Sequence, residues 1–101
     1  MDILLKQLIT QIQDGQGKAT SNLRKSAFNN SNLNEPLKSF VDKVANCAYK
    51  ITDSDIASLI KSEISEDEIF ELAICASVGQ STRQYENALK ALNEVDNNIN
   101  S

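Results

Sequence analysis

Ile69-Phe70-Glu71-Leu72-Ala73-Ile74-Cys75-Ala76-Ser77-Val78 is the stretch on which the reading of this chain turns. Wound as a helix, it presents apolar side chains on almost every side, and Glu71 is its only charge. A helix apolar all round is covered all round, so the stretch predicts a long final helix wrapped by other helices, some of them from a second copy of the chain. Ser65-Glu66-Asp67-Glu68, just before it, has the spacing of a capping box, and its acids suit the positive end of a helix. Past Gly79 the apolar pattern narrows to Val78, Thr82, Tyr85, Leu89 and Leu92, near a seven-residue repeat, while Gln80, Arg83, Gln84, Glu86 and Lys90 face outward. Ile69, Phe70, Ala73, Ile74, Val78, Arg83 and Tyr85 are therefore the candidates for contact between copies. The polar tail, 96–101, is expected to fray.

Working back toward the start, Thr52-Asp53-Ser54-Asp55 caps a short predicted helix that carries Ile56, Ala57, Leu59 and Ile60. Before it comes the cleanest apolar stripe of the chain. Asn34 is placed to cap it, Glu35 and Pro36 suit its first turn, and Leu37, Phe40, Val41, Val44, Ala48 and Ile51 follow at spacings of three and four. Asn29-Asn30-Ser31-Asn32 predicts a loop, because these side chains compete for backbone hydrogen bonds. A shorter helix is expected from Thr20 to Phe28 around Leu23, Ala27 and Phe28. The first amphipathic helix, Asp2 to Asp14, carries Leu4, Leu5, Leu8, Ile9 and Ile12 and is stopped by Gly15 and Gly17. Residues 1–34 thus read as a helical arm of a single domain spanning 1–101, with no internal repeat or dividing linker.

Composition agrees with an all-α class. At 101 residues the chain holds one core, and its 41% apolar and 24% charged residues are ordinary globular usage. Three glycines and one proline are too few for many short strands and turns. The net charge of -4 and a pI near 4.7 oppose binding to nucleic acid, which needs basic residues along the phosphates. Asp2 and Lys6 interrupt the apolar start, so neither a signal peptide nor a membrane span is expected. Two cysteines do not make a secreted disulfide framework, and a cytoplasmic location is the simplest expectation.

The chain has no histidine, which removes Ser-His-Asp and Cys-His nucleophiles, His-ligated zinc and imidazole proton transfer. Cys47, Cys75 and Glu71 are the remaining catalytic candidates. Both cysteines read first as small core fillers, since redox work needs a thiolate of lowered pKa and a partner sulfur nearby. Glu71 reads first as a solvated or salt-bridged carboxylate; buried, it would need a partner such as Arg83 of another chain. Asp53, Asp55, Glu63, Glu66, Asp67 and Glu68 lack the spacing of a calcium loop and read as helix caps, and Tyr49 and Tyr85 read as rim residues. No metal or cofactor is expected.

Leu37-Lys-Ser-Phe-Val-Asp-Lys-Val-Ala-Asn-Cys-Ala-Tyr-Lys-Ile-Thr-Asp-Ser-Asp-Ile-Ala57, then Ser65-Glu-Asp-Glu-Ile-Phe-Glu-Leu-Ala73, then Ala76-Ser-Val-Gly79 with Arg83 beyond, resembles the alkylhydroperoxidase and carboxymuconolactone decarboxylase superfamily over roughly 35–92. The order and spacing of these words carry the resemblance. It implies a bundle of five to six helices whose protomers interlock. Active members use a Cys-x-x-Cys pair followed by histidine; the corresponding region, about Ala48 to Asp55, has neither. The resemblance therefore implies a non-catalytic homo-oligomer. The alternatives are a diverged thiol peroxidase using Cys47 or Cys75, and a helical adaptor for a partner protein.

Overall fold

The structure, a computed structural model, describes residues 9–10 and 17–100, with side chains through Val95. Four α-helices and one 3-10 turn lie among the 17–100 residues: α1 (Ser21–Asn29), α2 (Leu37–Asn46), the turn Ala48–Lys50, α3 (Asp53–Lys61) and α4 (Glu66–Asn100). The class is all-α, with a long C-terminal helix. Ile9 and Thr10 are also helical; the rest of the expected first helix lies outside the described residues. No helix among them is long and apolar enough to cross a membrane.

Local chemistry sets most of the boundaries. Thr20 Oγ1 accepts the Leu23 amide at 3.1 Å and starts α1; Asn30, left-handed at φ 50°, ends it. Thr52 and Asp55 form a full capping box at α3, with bonds of 3.3 and 2.9 Å. Ser65 and Glu68 do the same at α4, with bonds of 3.2 and 3.3 Å. At α2 the expected cap differs: Asn34 does not serve, and the Glu35 carboxylate accepts the Ser39 amide at 2.7 Å and the Ser39 hydroxyl. α2 also stops early. Cys47 takes a non-helical backbone, Ala48–Lys50 tightens into a 3-10 turn, and Ile51 is extended, so Ala48 and Ile51 leave the predicted stripe. The turn lets α3 fold back, and Lys43 of α2 then reaches both Asp55 carboxylate oxygens, at 3.0 and 2.9 Å. At the other end of the chain, α4 continues as helix to Asn100, across the described part of the segment expected to fray.

The core gathers on α4. Leu72, Cys75 and Ala76 are fully buried, with Ile69 beside them, and Ala27 and Phe28 of α1, Phe40 and Val41 of α2 and Leu59 of α3 close over them. α1 lies alongside α4 and runs in the same direction, because Lys18 and Ala19 meet Glu71 while Phe28 meets Arg83. At Gly79 the two backbones approach so closely that a Cβ would stand 1.9 Å from the Phe28 carbonyl oxygen. A glycine inside a helix costs about 1 kcal/mol against alanine, and here that cost permits the contact.

All-round coverage of Ile69–Val78 is not what the described residues of one chain provide. Phe70 is 67% and Ile74 39% exposed, so one flank of the stretch faces water in the protomer. The reason is the count of neighbours: three short helices cover one side of α4, and none of the described residues reaches the other.

Gly79→Ala is expected to destabilise the fold by about 2 kcal/mol or more in urea denaturation, because backbone atoms must move, even though alanine favours helix. Lys90→Ala, at an exposed position further along the same helix, should change stability by less than about 0.5 kcal/mol.

Candidate functional site

Two constellations on α4 stand out, one polar and one apolar. The polar one holds α1 in place. Glu71 Oε1 accepts the Lys18 amide at 2.8 Å and Oε2 accepts the Ala19 amide at 2.7 Å. Twelve residues further along α4, Arg83 Nη1 donates to the Phe28 carbonyl at 2.6 Å, and its Nη2 donates to Gln80 Oε1 at 3.0 Å. A carboxylate thus sits at the start of α1 and a guanidinium at its end, the signs that a helix dipole favours. Gly17 lies so near the Glu71 carboxylate that a Cβ there would stand 2.7 Å from Oε1.

Glu71 and Arg83 are accordingly engaged within one chain. The Ala19 amide bond, opposed by burial and helped by the Lys18 amide and the charges of Arg24 and Lys18, holds the Glu71 carboxyl below its ordinary value. A carboxyl held ionised in this way is suited to binding backbone amides and poorly suited to proton transfer near neutrality.

The cysteines occupy different surroundings. Cys75 is buried, and burial pushes its thiol up; the Arg24 charge opposes that shift and Glu71 adds to it. Cys47 is half-buried at the end of α2, where its amide donates to the Lys43 carbonyl at 2.7 Å, and the two sulfurs are not bonded to each other. The acids expected to cap helices divide: Asp55 and Glu68 close capping boxes, while Asp53, Glu63, Glu66 and Asp67 are exposed. Among the described residues no group of three or more carboxylates or thiols is arranged to hold a metal ion. A polar recess of about 450 Å³ between the loop that follows α1 and the start of α2 contains Glu35 and Asp42, but Ser39 donates to the first and Asn30 and Asn46 donate to the second.

The apolar constellation is the open side of α4. Phe70, Ile74, Ser77, Ser81, Tyr85, Ala88, Leu92 and Val95 recur at steps of three and four residues, and every one of them is exposed. Steps of that kind draw one seam along a helix. Its larger members, Phe70, Tyr85, Leu92 and Val95, are all more than half exposed. At its Phe70 end the seam opens into an apolar groove of about 460 Å³, floored by Phe40, Val44, Ile51, Ile56, Ile69 and Ala73. Of the residues expected at an interface, Phe70, Ile74 and Tyr85 lie on this seam, and Val78 lies half-buried beside it. Ile69 belongs to the core, Ala73 lines the groove, and Arg83 grips α1. Ser77, Ser81, Ala88 and Val95 escaped sequence reasoning because small or isolated residues give little apolar signal; their three-and-four spacing from Ile74 was the available cue.

No family model, curated protein or solved structure matches this chain.

Two outcomes follow from the polar constellation and the thiols. Because the native Glu71 value is lowered, its stabilisation is complete above the unfolded-chain value of about 4.3 and disappears as pH falls through the native one. The stability gap between wild type and Glu71→Gln, from urea curves, should therefore be wide at pH 7 and narrow below pH ~4. In a thiol-titration time course at pH 8, Cys47 should react promptly and Cys75 only as fast as the core opens.

Proposed function

We propose that this chain works by binding rather than catalysis, as a self-assembling helical protein of the alkylhydroperoxidase-like kind. One observation carries the reading: α4 has two apolar faces, and α1, α2 and α3 bury only one of them. A row of exposed apolar side chains running through Phe70, Ile74, Tyr85, Leu92 and Val95 is larger than the scattered apolar residues that surfaces ordinarily carry. Covered by another protein surface, it completes the wrapping that the Ile69–Val78 stretch calls for.

The kinship proposal rests on the residues that carry the resemblance, and their positions give support of a physical kind. Gly79 and Arg83 converge on one acceptor, the Phe28 carbonyl, so the Ala76–Gly79 segment with Arg83 beyond it corresponds to one helix-packing contact. The region corresponding to the peroxidase motif, Ala48 to Asp55, is here a 3-10 turn and a capping box without a cysteine pair. Burial of Cys75, with its thiol raised, speaks against that cysteine as the nucleophile of a thiol peroxidase.

Sedimentation at micromolar concentration is expected to give a dimer or larger assembly. Ile74→Glu and Leu92→Glu, which bury a charge in the contact, should each yield a monomer with unchanged helical circular dichroism. A monomeric wild type would overturn the proposal.

A further inference from the structure

Resting on that reading, we infer that the occupant of the α4 seam is the same seam of a second copy, laid antiparallel, with the twofold axis beside position 83. The spacing of the seam selects a helix as its partner, since side chains recurring at three and four residues interlock with a like row on another helix. Its order of sizes selects this chain's own seam in one direction. Antiparallel pairing sets Ile74 against Leu92, Ser77 against Ala88 and Ser81 against Tyr85. The bulky Tyr85 ring then lies over the small Ser81 in both halves of the dimer. Parallel pairing would instead set Tyr85 against Tyr85 and Ser81 against Ser81, crowding one level and emptying the next.

The outline of the protomer points the same way. α4 is 35 residues long, about 52 Å, and supplies most of the molecule's 57 Å length. Its first half carries the folded body, and from Gln84 to Val95 every residue is exposed. Antiparallel pairing lays this bare rod of one copy beside the body of the other and brings its Leu92–Val95 end to the Phe70 end of the seam, where the apolar groove opens. The groove matters for size. A strip one helix wide and about 38 Å long offers roughly 400 Å², about half of what each partner gives to an ordinary stable interface. The groove walls supply further apolar surface. The seam itself contains no ionisable side chain except the Tyr85 phenol, and Glu66 is the one charged residue among those lining the groove.

Cysteine cross-linking tests the direction. In a Cys47→Ser, Cys75→Ala background, chains carrying Ser77→Cys and chains carrying Ala88→Cys are mixed and mildly oxidised. Antiparallel pairing puts these two positions at one level, within disulfide reach, whereas two copies of Ser77→Cys stand about 17 Å apart along the helices. The expected product is the mixed disulfide, with no Ser77→Cys homodimer. A Ser77→Cys homodimer, or a dimer with no mixed disulfide, overturns the antiparallel register while leaving self-association standing. A protein that sediments as a monomer, through capture of the seam by another segment or by a foreign helix, overturns both.

A size swap in the chain with its native cysteines gives an independent reading. Ser81→Tyr should weaken the dimer about tenfold or more, and adding Tyr85→Ser should restore it to within about threefold of wild type. Failure of the double variant to recover would also refute the register.

Discussion

The Phe28 carbonyl resting against Gly79 is the contact on which the rest of the structure depends. It sets how near α1 can come to α4, and that distance decides whether Ala27 and Phe28 reach Leu72, Cys75 and Ala76 to close a dry core. The same carbonyl, at the exposed end of α1, takes its hydrogen bond from Arg83, one turn beyond Gly79. Glu71 receives the amides at the opposite end. A nine-residue helix of marginal intrinsic stability is thereby held by a charge at each terminus and a close backbone contact near one of them.

That arrangement has a consequence for the other side of α4. With α1 running beside it in parallel, and α2 and α3 folded over the same face, the described residues cover the helix on one side only. Phe70, Ile74 and Tyr85 are left in water, and beyond Arg83 the helix leaves the body altogether. The polar constellation and the apolar seam are thus two results of one packing choice. Glu71 and Arg83 are engaged by α1, which leaves an uncharged, sterically ordered seam as the surface open to another molecule.

Much of this was legible beforehand wherever the physics is local. Thr52 with Asp55 and Ser65 with Glu68 form capping boxes because a side chain three residues away is always within reach of an N-terminal amide. α2 departs from its pattern at both ends: the Glu35 carboxylate, not Asn34, accepts an amide of its first turn, and the helix stops at Asn46 although Ala48 and Ile51 keep helical spacing. There Lys43 pairs with Asp55 across the turn, a contact between helices that no periodicity encodes. Gly79 could have been noticed, since a glycine inside a long helix often marks a close approach.

What the sequence determined by itself was an all-α chain with a long terminal helix, the starts of α3 and α4, and a stretch too apolar for one-sided burial; these follow from spacing and capping, which act over one turn. What only the tertiary structure decided was which side of that stretch the chain covers and where Glu71 and Arg83 go. Those outcomes depend on α1 lying parallel to α4 at the distance Gly79 permits, a relation between residues more than fifty positions apart. A helical pattern records how many faces are apolar; it does not record which neighbour arrives at each face.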